Sequence, residues 1–159
     1  MKALVVYDSV FGNTEQVAQA MGRGLTQLGD VETRRVKDAE PQDLMAVDVL
    51  IVGSPTRGFQ PTPATKKLLK RIPAGGLEGV RVAAFDTRFS VEDTQSGILN
   101  FLVRLFGYAA GPIAARLEKK GGDPAVPPEG FIVEGTEGPL REGELERAAN
   151  WARRIAEPE

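Results

Sequence analysis

Residues 3–14 read ALVVYDSVFGNT, a short apolar run that leads into a loop of small and polar residues. Ala3–Tyr7 contains no charged residue, which predicts a strand that is buried on both faces of a sheet. The next stretch, Asn13–Leu28, repeats its apolar residues at the spacing of a helix. A buried strand that passes through a short loop into a helix is typical of a parallel sheet with helical crossovers.

The same alternation of strands and helices continues to the end of the chain. Further strands are predicted at Val31–Val36, Val47–Val52, Val80–Phe85 and Phe131–Val133, and helices at Pro63–Ile72, within Gly97–Lys119 and at Arg141–Ala156. The polar strand Val31–Val36 suits a sheet edge, and in the last helix Leu145 is expected to face the core. Helices on both faces of a parallel sheet make an α/β, doubly wound, three-layer sandwich. The 159 residues suit one domain, which we place at 1–159.

Two residue types are absent from the chain, and their absence excludes several kinds of chemistry. There is no cysteine and no histidine, which excludes disulfides, thiolate metal sites and catalytic triads that use histidine. The 20 basic and 22 acidic residues give a net charge of −2, so no nucleic acid partner is expected. We predict neither catalytic side chains nor a metal site.

The apolar stretches of the chain do not suit membrane insertion. The run in MKALVVY is too short for a secretory signal, and Asn100, Arg104 and Pro112 interrupt the long apolar stretch at 98–115. We therefore expect no stable membrane insertion and a cytoplasmic location. The segment Ile98–Tyr108 is either a helix folded over the sheet or an apolar surface for a homodimer, a redox partner or a membrane.

Ligands of such sheets bind where the carboxyl ends of the strands meet, so the loops at 8–14, 53–61 and 86–93 are the informative ones. The first loop combines the hydroxyls of Ser9 and Thr14, the amide of Asn13, and Gly12, beside which a ligand can approach the backbone. With the N–H groups of a helix N-terminus, this loop can bind a phosphate without a basic side chain. The same residues also suit a plain helix cap. Neither the P-loop motif nor the dinucleotide motif GxGxxG follows the first strand.

The second and third loops add planar side chains to this edge of the sheet. The second reads GSPTRGFQP over residues 53–61, and Phe59 or the Arg57 guanidinium is suited to the face of a planar ligand. The third continues as DTRFS from Asp86 and repeats that combination. Each loop alone is also compatible with an ordinary turn, because turns favour glycine and proline. Three such loops at one edge together indicate a binding site.

The sequence resembles the flavodoxin family over essentially its whole length. The resemblance is carried by SVFGNT with the preceding YD, by GSPTRGF after the strand VDVLIV, and by AAFDTRF. It implies a five-stranded parallel sheet in the order 2-1-3-4-5 and FMN bound at the carboxyl edge for one- or two-electron transfer. The positions that match the family's cofactor loops are Ser9, Val10, Phe11, Gly12, Asn13 and Thr14 for the phosphate, and Pro55, Thr56, Arg57, Gly58, Phe59, Thr87, Arg88 and Phe89 for the ring.

Two features depart from the family's usual pattern. Many flavodoxins have a tryptophan where Arg57 stands, and flavodoxins that serve basic partners are usually far more acidic than this chain. An FMN-binding carrier that shuttles electrons between protein redox partners is therefore one interpretation. An FMN-dependent NAD(P)H:quinone oxidoreductase and a flavin-free adaptor that keeps only the fold are the alternatives. A response-regulator receiver is disfavoured because residues 53–55, GSP, stand where it needs an aspartate.

Overall fold

A computed structural model describes residues 1–89, 97 and 107–157 of the chain. Strands and helices alternate in it, as the sequence predicts. In chain order the elements are β1 (Lys2–Tyr7), α1 (Asn13–Leu25), β2 (Asp30–Arg35), a 3₁₀ turn (Val36–Asp38), α2 (Pro41–Met45), β3 (Val49–Pro55), α3 (Pro63–Lys70), β4 (Arg81–Phe89), α4 (Ala110–Lys119), β5 (Asp123–Pro124), β6 (Glu129–Val133) and α5 (Glu144–Ala156).

All paired strands of the sheet run parallel, in the order β2-β1-β3-β4 with β5 and β6 beside β4. The predicted order 2-1-3-4-5 is confirmed, and two short strands share the fifth position. β5 pairs with the start of β4 at Arg81, whereas β6 pairs with its second half from Phe85 to Phe89. The residues between them, 125–128, read AVPP, and the two prolines lack the N–H groups that a continuous strand needs.

Apolar side chains are buried on both faces of the sheet, which confirms the three-layer architecture. On one face, α1 and α5 pack against the sheet, and Phe85, Phe131 and Trp151 meet edge to face with ring centroids 5.9–6.3 Å apart. On the other face, α2, α3 and α4 cover an aliphatic core. Trp151 is 2% exposed, whereas Leu145, which we expected to face the core, is 37% exposed.

Several predicted boundaries differ from the observed ones. α1 ends at Leu25 instead of Leu28, and Leu28 is exposed. β3 and β4 run further than predicted, to Pro55 and Phe89, so that residues expected in loops lie on strand ends. These extensions place the side chains that follow the apolar cores of both strands at a rigid edge of the sheet.

No helix among the described residues is long and apolar enough to cross a membrane. Residues 98–106 of the segment Ile98–Tyr108 lie outside the described residues. The expectations of a helix over the sheet and of a homodimer through this segment therefore stay predictions.

A candidate cofactor site at the carboxyl edge of the sheet

A cleft of about 240 Å³ opens at the carboxyl ends of β1, β3 and β4. All the site residues predicted from the sequence line it, except Ser9 and Gly12. Tyr108, Val133 and Thr136 also line the cleft and were not predicted. The fold thus brings together the first two loops and residues 86–89 of the third, as the parallel sheet required, whereas residues 90–93 of the third loop lie outside the described residues.

The loop between β1 and α1 is closed by its own hydrogen bonds. The Ser9 hydroxyl accepts from the N–H groups of Gly12, at 3.1 Å, and of Glu15, at 3.4 Å. Gly12 has a φ of 94°, a conformation that glycine adopts without strain. Ser9 therefore shapes the loop from outside the cleft, as a capping side chain does.

Backbone N–H groups in this loop and at the start of α1 are available to a ligand. No described residue accepts a hydrogen bond from the backbone N–H of Phe11, Asn13 or Thr14. All three residues line the cleft, and the last two begin the 13-residue helix α1. A helix N-terminus carries unpaired donors and about half a positive charge, so this end of the cleft suits an anion.

The Asn13 side chain holds a neighbouring segment in place. Its Nδ2 donates to the carbonyl oxygen of Glu137 at 3.1 Å. A Cβ at Gly138, whose φ is 106°, would lie 2.6 Å from the Asn13 Oδ1, so the backbone passes very close to this amide. The contact fixes the segment that carries Thr136 to the edge of the cleft.

Arg35, at the end of β2, contacts both ends of the first loop. One guanidinium nitrogen donates to the Ser9 carbonyl at 3.0 Å and lies 3.8 Å from an Asp8 carboxylate oxygen. A second nitrogen lies 3.4 Å from Glu15. Asp8 in turn accepts a 2.6 Å hydrogen bond from the Thr62 hydroxyl. The loop is therefore braced at both of its ends by side chains outside the cleft.

The hydroxyls of Thr14 and Thr87 lie 2.8 Å apart in the wall of the cleft, and both side chains are buried. Two hydroxyl groups carry two protons, and only one of them lies in their shared hydrogen bond. The second proton is a donor for a third group.

The second loop is a two-residue β-hairpin. Arg57 and Gln60 exchange both backbone hydrogen bonds, at 2.8 and 3.0 Å, around Gly58 and Phe59. These two residues have φ angles of 56° and 67°, as a type I′ turn requires. Phe59 is the one non-glycine residue with positive φ among the described residues, which costs about 1–3 kcal/mol. The turn brings the half-buried Phe59 to the cleft, and the Arg57 guanidinium lies 5.7 Å from the centroid of the exposed Phe11 ring.

The end of β4 carries a buried acid that the sequence analysis did not single out. Asp86 is fully buried and bonds Arg88 through both carboxylate oxygens, at 2.6 and 2.8 Å. It also accepts from the N–H of Ala110 at 2.9 Å. Burial raises the pKa of the Asp86 carboxyl above its ordinary value, and the contacts with Arg88 and Ala110 oppose that rise. The Arg88 guanidinium of this pair also lies 3.6 Å from the centroid of the Tyr108 ring.

A signal for Asp86 was present in the sequence. An acidic residue directly after the apolar run VRVAAF needs a partner if the strand continues, and Arg88 lies two residues further, on the same face. No comparable signal marks Tyr108, because its position at the cleft depends on the long connection between β4 and α4.

Together these features define a site for a planar group with an anionic tail. The cleft is lined by residues of the first loop that offer neutral donors, and also by Phe59, Phe89, Tyr108, Arg57 and Arg88. The residues present therefore fit a flavin mononucleotide, whose ring is flat and whose side chain ends in a phosphate.

Comparisons with known proteins agree with this assignment. The flavodoxin family model matches residues 5–151. A flavodoxin of Aquifex aeolicus is 40% identical over 57 residues, which are 35% of this chain and 31% of that protein. Putative diflavin flavoprotein A 4 of Synechocystis is 41% identical over 63 residues, 36% of this chain and 11% of that protein. The solved structure of a flavodoxin from the domain Archaea has a TM-score of 0.76 at 24% identity, and the match covers 98% of this chain and 96% of that one.

The chain belongs to the flavodoxin family, and its cofactor is FMN. The matched stretches span less than a third of the two curated relatives. The solved archaeal flavodoxin corresponds to this chain over nearly its full length and shows the fold.

Proposed function

We propose that this protein is an electron carrier that holds FMN in the cleft and passes one or two electrons between protein redox partners. The observation that carries the proposal is the meeting of unused N–H donors at the α1 N-terminus with aromatic side chains in one cleft. FMN supplies the redox chemistry when it is bound. The residues of the chain bind the group, orient it and exclude water from it.

The phosphate is assigned to the first loop. The N–H groups of Phe11, Asn13 and Thr14 donate to its oxygens, and the helix dipole favours its negative charge. The Thr14–Thr87 pair contributes its second hydroxyl proton. Ser9, Gly12 and Arg35 act on the shape of the loop. Whether Ser9 and Gly12 also contact the phosphate stays a prediction.

The ring is assigned to the space between the hairpin at 57–60 and the end of β4. Pro55, Thr56 and Gly58 line the cleft together with the aromatic residues Phe59 and Phe89. The Thr56 N–H donates to the Thr87 carbonyl at 3.1 Å, which fixes the distance between the two loops. A gap of fixed width favours a flat ligand because its walls need not rearrange on binding.

Titration of the apoprotein with FMN and with riboflavin, followed by calorimetry, tests the assignment of the phosphate. Thr14→Ala is expected to weaken FMN binding about ten- to a hundredfold, because a hydrogen bond to a charged group contributes about 1.5–3 kcal/mol. Riboflavin has no phosphate, so its affinity is expected to stay within about twofold of the wild-type value. Thr26→Ala is the matched control, because among the described residues the Thr26 hydroxyl bonds the Arg23 carbonyl alone, at the other end of α1. Equal weakening of both ligands contradicts the assignment.

Two further outcomes decide between the carrier and its alternatives. Purified protein that stays colourless and ignores added FMN supports a flavin-free adaptor. The loaded protein is also incubated with NAD(P)H and a quinone, beside free FMN at the same concentration. Turnover well above that of free FMN supports an oxidoreductase, whereas a carrier exchanges electrons with redox proteins and shows no such turnover.

A further inference from the structure

We propose that Arg88 and Tyr108 form a stacked wall against which the ring of FMN packs, and that the buried Asp86 carboxylate positions this wall. Both Arg88 and Tyr108 line the cleft, whereas Asp86 lies behind them. The wall belongs to the same cleft, so its role rests on the function proposed above.

The first step is the pairing of Asp86 with Arg88. The two residues lie two positions apart on β4 and therefore on one face of the strand. Both carboxylate oxygens bond guanidinium nitrogens, Nε at 2.6 Å and Nη2 at 2.8 Å. A bidentate contact of this kind fixes the plane of the guanidinium as well as its position. Since Asp86 is fully buried, the pair is shielded from the water that loosens surface ion pairs.

The second step links Asp86 to the position of Tyr108. The N–H of Ala110, the first residue of α4, donates to an Asp86 carboxylate oxygen at 2.9 Å. The neighbouring N–H of Ala109 donates to the Thr56 hydroxyl at 3.2 Å. Ala109 itself has no side-chain oxygen to cap the helix, so groups from the cleft edge fix the start of α4. Tyr108 directly precedes this fixed helix end.

The third step is the stack itself. The Arg88 guanidinium carbon lies 3.6 Å from the centroid of the Tyr108 ring, the distance of two flat groups in contact. β6 leaves room for this arrangement, because a Cβ at Gly130 would lie 2.1 Å from the Arg88 Nε. The carboxylate behind the guanidinium compensates its charge, so the wall presents a flat surface with little net charge. Lysine cannot replace arginine here, since an ammonium group is neither planar nor bidentate.

Binding of FMN and riboflavin to the apoproteins of Arg88→Met and Arg88→Lys tests the wall. Both variants are expected to bind FMN and riboflavin about five- to tenfold more weakly than the wild type does, because the ring is common to the two ligands. This pattern differs from that of Thr14→Ala, which is expected to weaken the binding of FMN but not that of riboflavin. Arg116→Lys, on the exposed surface of α4, is the matched control.

The positioning role of Asp86 is tested by a double-mutant cycle. Asp86→Asn alone is expected to weaken the binding of both flavins. The double variant, which combines Asp86→Asn with Arg88→Met, is expected to bind them no more weakly than the Arg88→Met variant does. Additive losses overturn the role of Asp86. If Asp86→Asn does not fold, the single Arg88→Lys variant still tests the wall, because it keeps the charge but removes both the flat surface and the bidentate contact with Asp86.

A readout without any flavin is the ultraviolet titration of Tyr108 in the apoprotein. The chain has two tyrosines, and Tyr108→Phe identifies the signal that belongs to Tyr108. Burial raises the pKa of Tyr108, the Arg88 cation lowers it, and the Asp86 charge raises it. Arg88→Met is therefore expected to move the ionisation of Tyr108 to higher pH, and an unchanged titration overturns the stack.

The outcomes separate this proposal from the function itself. Wild-type protein that binds neither FMN nor riboflavin contradicts the proposed function. Wild-type protein that binds both, while Arg88→Met binds them equally well, contradicts only the wall.

Discussion

Gly58 and Gly111 have equally open surroundings but different backbone conformations. A Cβ built on either glycine meets no heavy atom within 4 Å, yet only Gly58 has a positive φ, of 56°. Gly58→Ala is therefore expected to lower the free energy of unfolding by about 1 kcal/mol through backbone strain alone. Gly111→Ala, in α4, is expected to raise it by up to about 1 kcal/mol through helix propensity. Urea denaturation of the two apoproteins measures both values, and two changes of the same sign would contradict this explanation.

Residue types predicted the chemistry of the site better than its hydrogen bonds. The hydroxyls and glycine of the first loop pointed to an anion site because their chemistry is local to the loop. The sequence could not show that Ser9 bonds within the loop, or that Asn13 bonds a carbonyl in the segment near Gly138. The partner of Asn13 lies 124 positions away and depends on the assembled fold, whereas the bond of Ser9 depends on the conformation that the loop adopts. Whether the predicted residues contact FMN stays a prediction.

The loop between β1 and α1 is held by an arginine from another strand. Arg35 bonds the Ser9 carbonyl and faces Asp8 and Glu15, one at each end of the loop. Arg35→Gln is expected to weaken the binding of FMN about three- to tenfold and to change the binding of riboflavin little. The reason is that a loosened loop must be ordered when the phosphate binds. Arg23→Gln, on an exposed position of α1, is the control. Calorimetry at two salt concentrations checks the result, and an equal loss for riboflavin argues against a role restricted to the loop.

The contact between α5 and β6 is expected to depend on pH. Burial raises the pKa of Glu144, but bonds from Arg147 at 2.7 and 2.8 Å and from the Ile132 N–H at 2.7 Å hold it below its ordinary value. A lowered pKa in the folded state means that the stabilisation is complete above the ordinary pKa near 4.5. The stabilisation is lost as the pH falls through the lower folded value, where Glu144 takes up a proton.

Urea unfolding at pH values from 7 to about 3 measures this loss. Glu144→Gln is expected to be less stable than the wild type at pH 7 and to lose less stability in acid. Glu146→Gln, an exposed change in the same turn of α5, is expected to follow the wild-type curve. Asp86 contributes with the opposite sign, since its pKa is raised, and the difference between wild type and Glu144→Gln removes that contribution. Parallel curves for these two proteins would contradict the assignment to Glu144.

Periodicity predicted most of the helices and strands, but it missed the short elements α2 and β5 and did not predict where the others end. The apolar runs of β3 and β4 end before the strands do, because Ser54, Asp86 and Thr87 are polar and yet pair within the sheet. Their side chains bond neighbouring residues of the strands or, for Thr87, the Thr14 hydroxyl in the wall of the cleft, and these bonds compensate their burial. α2 was missed because five residues are too few for a period, although Glu40 and Asp43 form its capping box.

The two faces of the sheet differ in what fills them, and this too follows only from the assembled fold. The α1–α5 face holds the aromatic triad of Phe85, Phe131 and Trp151, whereas the opposite core is built from aliphatic side chains. Trp151 belongs to a helix whose apolar period the sequence revealed, but its partners come from β4 and β6. Phe85 precedes Asp86 and Thr87 on the strand that ends at the cleft, so the site and this core share one rigid element.

Because β4 belongs to both the site and the aromatic core, the stabilisation of the protein by FMN can be followed through the fluorescence of Trp151. The chain has a single tryptophan, it is 2% exposed, and it lies 6.3 Å from Phe85, so its emission reports the packing of the aromatic core. FMN at about 100 times its Kd is expected to raise the free energy of unfolding by about 2.7 kcal/mol, because only the folded state binds it. Tryptophan emission and far-ultraviolet circular dichroism should then shift by the same amount in denaturant. A shift in one signal alone would mean that the cleft opens independently of the core, whereas coincident shifts place both in one cooperative unit.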